Sequence, residues 1–205
     1  MIKSSAQIRL DARTHDLLEV ATRFFLEKGF EGASVSAIAR AAHASKETLY
    51  SRYPTKEELF RAVMLRRTEV MNAPLVTALS PDTPPEKALF ALGSMVMERM
   101  LKDEHLAMHR TIAMDRLRFP ELAKIFYETG PARLLALVAK YLQEQVSAGR
   151  LCKMDSTLAA RRFMALLNAE TMIKLNLGIG EKPTKRQQEK MVASAVEFFL
   201  RGYRP

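Results

Sequence analysis

The chain has 205 residues, 48% of them hydrophobic and 27% charged, enough for a small domain beside a larger one with its own core. It has no apolar run near the ~20 residues that cross a bilayer, no charged-then-apolar amino terminus of the signal-peptide kind, and a single cysteine, Cys152, which excludes an intrachain disulfide and a multi-cysteine metal site. A cytoplasmic protein with no membrane partner is expected, and the net charge of +9 points to an anionic one. Charge alone does not locate that partner's face: through residue 72 there are twelve Lys and Arg against nine Asp and Glu, a balance of +3, leaving +6 for the rest.

In chain order, Lys3, Arg9 and Arg13 lie in an amino-terminal arm and first turn. Leu17, Leu18, Ala21, Phe24 and Phe25 then recur at helical spacing. This helix is predicted to stop at Lys28-Gly29, a cation in the last turn followed by the residue that most easily turns left-handed, so that Phe30 drops into a small core. Ser34 precedes Val35, Ile38 and Ala39, one narrow apolar stripe on a short helix that the serine hydroxyl can cap. The stripe fails at Ala42-His43-Ala44, and Ser45 caps a second short helix, Lys46 to Arg52, in which only Leu49 suits burial. A helix with so little to bury presents its surface to a partner. Pro54 ends it, and Thr55-Lys-Glu-Glu58 is a capping box for the next helix. Two short capped helices joined by a tight turn are the pattern of a DNA-reading helix-turn-helix.

Phe24-Phe25-Leu-Glu-Lys-Gly-Phe30, Ser34-Val35-Ser-Ala-Ile38-Ala39, Ser45-Lys46-Glu-Thr48-Leu49-Tyr50 and Lys56-Glu-Glu-Leu-Phe60 together resemble the amino-terminal domain of TetR-family transcriptional regulators, over roughly residues 12 to 62. The departure is His43, where that family usually has Gly in a left-handed turn; His is among the residues that tolerate the region. At matching positions the resemblance implies that Tyr50 and Lys56 contact phosphates and that Ser34 and Ser45 bring helix amino termini to the backbone. It likewise implies that Lys46, Thr48 and Arg52 reach groove edges. Arg40 also flanks the reading helix, whereas Arg61, Arg66 and Arg67 read as solvated surface charges.

Every periodic segment beyond residue 56 is helical, so the fold class is all-α, with an amino-terminal unit of three helices in residues 1–55 and a connector plus a larger helical domain in 56–205, to which the resemblance assigns ligand binding and dimerisation. The connector is predicted to break at Ala73-Pro74 and to end in the proline loop Ser80 to Pro85. Helices follow over Glu86–Lys102, His105–Leu117, Pro120–Gly130, Pro131–Ala148, Ser156–Leu177 with Asp155 as cap, and from Thr184 to Gly202. Phe119 to Arg133, with Gly149-Arg-Leu151, is similar to the carboxyl-terminal domain of the AefR-like branch of the same family.

The resemblance implies an effector pocket in the larger domain, where methionines concentrate; that flexible side chain suits a variable apolar or amphipathic guest, or else fills gaps between helices. The large apolar residues able to converge there are Phe90, Met97, Met100, Leu101, Met114, Phe126, Leu134, Leu137 and Met164. The last two helices carry Phe163, Leu167, Thr171 and Leu175, and Ala195 and Phe199, at helical spacing; the resemblance implies that part of this surface pairs two copies in a four-helix bundle. The implied protein is a homodimeric repressor that binds a palindromic operator and is released by a small effector. The alternative is a basic architectural DNA binder without effector response.

No glycine-rich phosphate loop, Gly-x-Ser-x-Gly elbow or other catalytic motif occurs, so neither enzyme activity nor a cofactor is expected. His105 and His109 share a helical face but lack further ligands, and read as ordinary histidines rather than a metal site; Cys152 reads as a packing thiol.

Overall fold

A computed structural model describes residues 5–204, with side chains for all of these but 5–14, 168 and 169. Lys3, Arg9 and Arg13 of the arm therefore fall outside the described side chains. Among the described residues every regular element is a helix: α1 (Ser5–Gly32), α2 (Val35–Ala41), α3 (Lys46–Arg52), α4 (Lys56–Ala78), α5 (Pro85–Met100), α6 (Asp103–Asp115), α7 (Pro120–Thr129), α8 (Pro131–Ser147), α9 (Ser156–Asn176) and α10 (Lys185–Arg201). None is long and apolar enough to cross a membrane.

The chain forms two compact units. The first runs through Glu69 and takes in Met114–Thr129; the second is Val70–Ala113 with the chain from Gly130 onward. In the first, α1 breaks at Gly29 (φ 69°), as its sequence predicts, and Phe30 turns inward to 4% exposure. Phe25, Phe30 and Phe60 form an aromatic cluster with centroids 5.1–5.9 Å apart, and Phe119 joins it edge-on to Phe30 at 5.2 Å. Leu17, Leu18, Ala21, Ile38, Leu49, Leu59 and Leu122 are among this unit's other buried residues. Arg61 is not merely solvated: it pairs with Glu128 at 2.9 Å, and Arg66 and Arg67 are half-buried.

The second unit centres on α5, whose Leu89, Leu92, Val96 and Met97 are buried among residues of α8, α9 and α10. Gly93 permits the closest approach: a Cβ there would stand 2.8 Å from Val192 Cγ1 and 3.0 Å from Leu167 Cδ2. The proline loop is tied to α8 by Tyr141 Oη donating to the Thr83 carbonyl (2.8 Å) and Gln145 Nε2 to that of Pro81 (3.0 Å). Both side chains are fully buried, so these bonds satisfy groups that water cannot reach.

The connector does not break at Pro74. α4 runs through it to Ala78. Proline removes one helical donor, and half-buried Arg99 supplies others from outside the helix, donating to the Met71 carbonyl and, at 2.9 Å, to Asn72 Oδ1.

Candidate nucleic-acid interface

The two short helices are set by their caps. Ser34 Oγ accepts from the Ala37 N–H at 3.4 Å, and Ser45 Oγ from that of Thr48 at 3.1 Å. Between them the turn closes through Ala44 N–H donating to the Ala39 carbonyl (2.9 Å), with His43 left-handed at φ 50°. A side chain there costs about 1 kcal/mol relative to glycine.

Leu49, 1% exposed, is the anchor of α3; Lys46, Glu47, Thr48, Tyr50 and Ser51 all face solvent. Lys46 Nζ stands 5.7 Å from the Tyr50 ring centroid, within cation–π reach, so cation and phenol form one surface feature. The Thr48 and Ser45 hydroxyls share a 2.9 Å hydrogen bond. Arg52 is half-buried at the end of the helix. Lys56, read as a phosphate contact, has a second occupation: Nζ donates to the Glu31 carbonyl at 3.0 Å and lies 4.7 Å from the Phe30 ring centroid, and burial lowers its pKa.

Sequence reasoning passed over Glu47. Its carboxylate is fully exposed on the first turn of α3, its pKa lowered by its own backbone N–H and then by the Ser45 hydroxyl. That placement suits the helix dipole but sets a negative charge on the face that would meet phosphate; its position after the Ser45 cap was the available signal.

The nine residues assigned to a pocket are not gathered in one unit. Met97, Leu101 and Leu134 belong to the second unit's core, with Met100, Leu137 and Met164 packed against it. Phe90 is 40% exposed and lines a surface groove of about 410 Å³ with Lys87, Ala193 and Leu200. Phe126 and Met114 lie in the first unit, Met114 at 79% exposure, because α6 ends one residue beyond it. His105 and His109 face each other at 5.2 Å, and among the described residues no group of three or more potential ligands is arranged around a metal position.

Residues 17–63 match the profile of bacterial regulatory proteins of the tetR family, and residues 87–205 that of the AefR-like transcriptional repressor carboxyl-terminal domain. The chain belongs to the TetR family of transcriptional regulators. It is similar to a putative TetR-family regulator of Mesorhizobium loti, with 27% identity, 95% of this chain and 98% of that one covered, and a TM-score of 0.81. The flavonoid-responsive regulator FrrA aligns at 30% identity over 95% of this chain and 98% of its own, with a TM-score of 0.77. An HTH-type transcriptional regulator of Mycobacterium tuberculosis is 28% identical over 139 residues, 68% of this chain and 65% of that protein's length.

In this TetR-family chain the stripe assigned to a dimer interface is largely internal. Phe163, Leu167, Leu175, Ala195 and Phe199 are 0–8% exposed within one copy, and Thr171 is half-buried. Phe163 and Phe199 stack edge-on at 5.2 Å. A side chain closed off inside its own chain cannot present area to another. The outward faces carry Leu158, Leu166, Ile173 and Leu177 on α9 and its end, and Phe198 on α10, at 41–69% exposure.

Proposed function

We propose that the chain is a homodimeric repressor that binds a palindromic DNA operator through α3 and is released by a small apolar or amphipathic effector. The observation that carries this reading is the economy of α3: one buried leucine, two caps, and Lys46, Thr48 and Tyr50 all exposed to solvent. In this assignment Ser34, Ser45, Tyr50 and Lys56 position the backbone, and Lys46, Thr48 and Arg52 read groove edges. Lys56 serves from a clasp on Glu31 that already fixes its direction.

Pairing is assigned to the outward row Leu158, Leu166, Ile173 and Leu177 with Phe198. These large apolar side chains lie on the two helices that the family resemblance assigns to a four-helix bundle. The amino-terminal 55 residues are taken as the DNA-binding domain and 56–205 as the domain for ligand and partner. The effector site is assigned to the second unit around buried Met97, Leu101 and Leu134 and partly buried Met100, Leu137 and Met164, whose flexible methionine side chains can repack around a guest. A planar aromatic is one guest to test first, since FrrA is named for its response to flavonoids. Only an effector that binds one separation of the two reading heads better than the other can release DNA.

The net charge of +9 supports the alternative, an architectural binder without effector response. Selection of duplexes from randomised DNA, followed by titration with flavonoids and acyl carboxylates, separates the two. A repressor selects a palindrome and loses it to some effector; an architectural protein selects nothing.

A further inference from the structure

Glu31, in the last turn of α1, is held from two sides within the first unit. Arg118 Nη1 and Nη2 donate to its two carboxylate oxygens, each at 2.6 Å. Paired parallel bonds of this kind fix orientation as well as distance. The Glu31 carbonyl accepts from Lys56 Nζ at 3.0 Å. Beside it, Phe30 meets the edge of Phe119 at 5.2 Å, and the Arg118 guanidinium lies 5.6 Å from the Phe119 ring centroid.

Arg118 and Phe119 come from the short turn between α6 and α7, and that turn is not slack. The amides of both residues donate to the Asp115 carbonyl, at 2.9 and 2.8 Å, and Asp115 is the last residue of α6. The Phe119 carbonyl in turn accepts from Leu122 at the start of α7. The grip therefore falls on the corner where α1 gives way to α2, three residues ahead of the Ser34 cap, and it is exerted by a segment whose chain enters from the second unit and returns to it.

An ion pair as exposed as Arg118 and Glu31, at 63% and 56%, adds little to global stability. Its consequence is positional. We propose that Arg118 and Phe119 are positioning residues of the DNA-reading unit: they fix the α1–α2 corner, and with it the direction of α3. The DNA-binding half of this inference rests on the function proposed above; the positional half does not.

The test uses the full-length protein, hydrogen exchange of backbone amides, and a duplex selected by the wild type from randomised DNA. Arg118→Ala should leave the melting temperature within about 2 °C. It should speed exchange of the Ala33–Ile38 amides by about 3–10-fold and weaken binding of the selected duplex by a similar factor. The salt slope of binding should stay unchanged, which separates a positioning residue from a phosphate contact. Glu31→Arg and Arg118→Glu should each reproduce the defect, and the two together should restore exchange and affinity to within about twofold of wild type. Phe119→Leu should retain more of both than Phe119→Ala. Unchanged exchange in Arg118→Ala, or a double swap no better than its parents, overturns the proposal. If the wild type selects no duplex, the function proposed above fails, while exchange in the swap variants still decides whether Arg118 holds the corner.

Discussion

Helix α3 and the helices α9 and α10 differ most in what they bury. In α3 one side chain, Leu49, is closed to solvent, and five of its seven residues stand outward. In α9 and α10 the apolar rows through Phe163, Leu167, Val192, Val196 and Phe199 are wholly taken up by the chain's own core, and a second apolar row faces out. A scanty stripe thus marks a surface for a partner, whereas a rich stripe is claimed first by the monomer. In the proposed homodimer the pairing surface has to be sought on the remaining face.

The largest expected effect sharpens that division. Phe163→Arg puts an unpaired charge at a site 0% exposed and should cost ~3–5 kcal/mol, lowering the melting temperature steeply. Ile173→Arg, at a site 61% exposed, should keep the monomer fold, lower melting only by the stabilisation that association supplies, and shift sedimentation from dimer to monomer. A dimer undisturbed by Ile173→Arg and Phe198→Arg would move the interface off these helices.

Gly93 offers the next. Gly93→Val forces side-chain atoms onto Val192 and Leu167, and thermal melts should show about 1–3 kcal/mol lost, part of it regained in combination with Val192→Ala. Full stability in the single variant would mean that α5 and α10 approach less closely than described.

On the reading side, Lys56→Ala should weaken binding to all duplexes about equally and lower the salt slope of DNA binding by about one unit, whereas Thr48→Ala should change which sequences are selected. The opposite pattern would exchange their roles. His43→Gly relieves a left-handed side chain at φ 50° and should stabilise by about 0.5–1 kcal/mol in a denaturant titration. Smallest is Glu47→Gln, expected to strengthen binding to any duplex by about twofold at low salt, because a carboxylate leaves the phosphate-facing surface.

The local features were readable in advance. Ser34, Ser45 and Asp155 all cap the helices that their positions predict, and Thr184 caps α10, since a cap is decided within four residues of itself. Gly29 breaks α1 for the same reason. What depended on distant neighbours was not. Pro74 reads as a break, but the donors that meet its helix come from Arg99, 25 positions on. Periodicity shows that Phe163 and Phe199 share a side of their helices without telling whether that side meets α5 or a second copy. Met114 looked suited to a pocket because it is large and apolar; its place one residue before the end of α6 leaves it outside. The contacts of Arg118 and Phe119 gave no signal, since their partners lie 87 and 89 positions away, at Glu31 and Phe30.

Whether α3 reads DNA as one of a symmetric pair is decided by selecting duplexes from a randomised pool with the full-length protein and sequencing them. A symmetric pair selects a palindrome with half-sites about one helical turn or a multiple apart, lost when Thr48 and Lys46 are both replaced by alanine. Enrichment of no sequence, or of the same palindrome by that double variant, would contradict it.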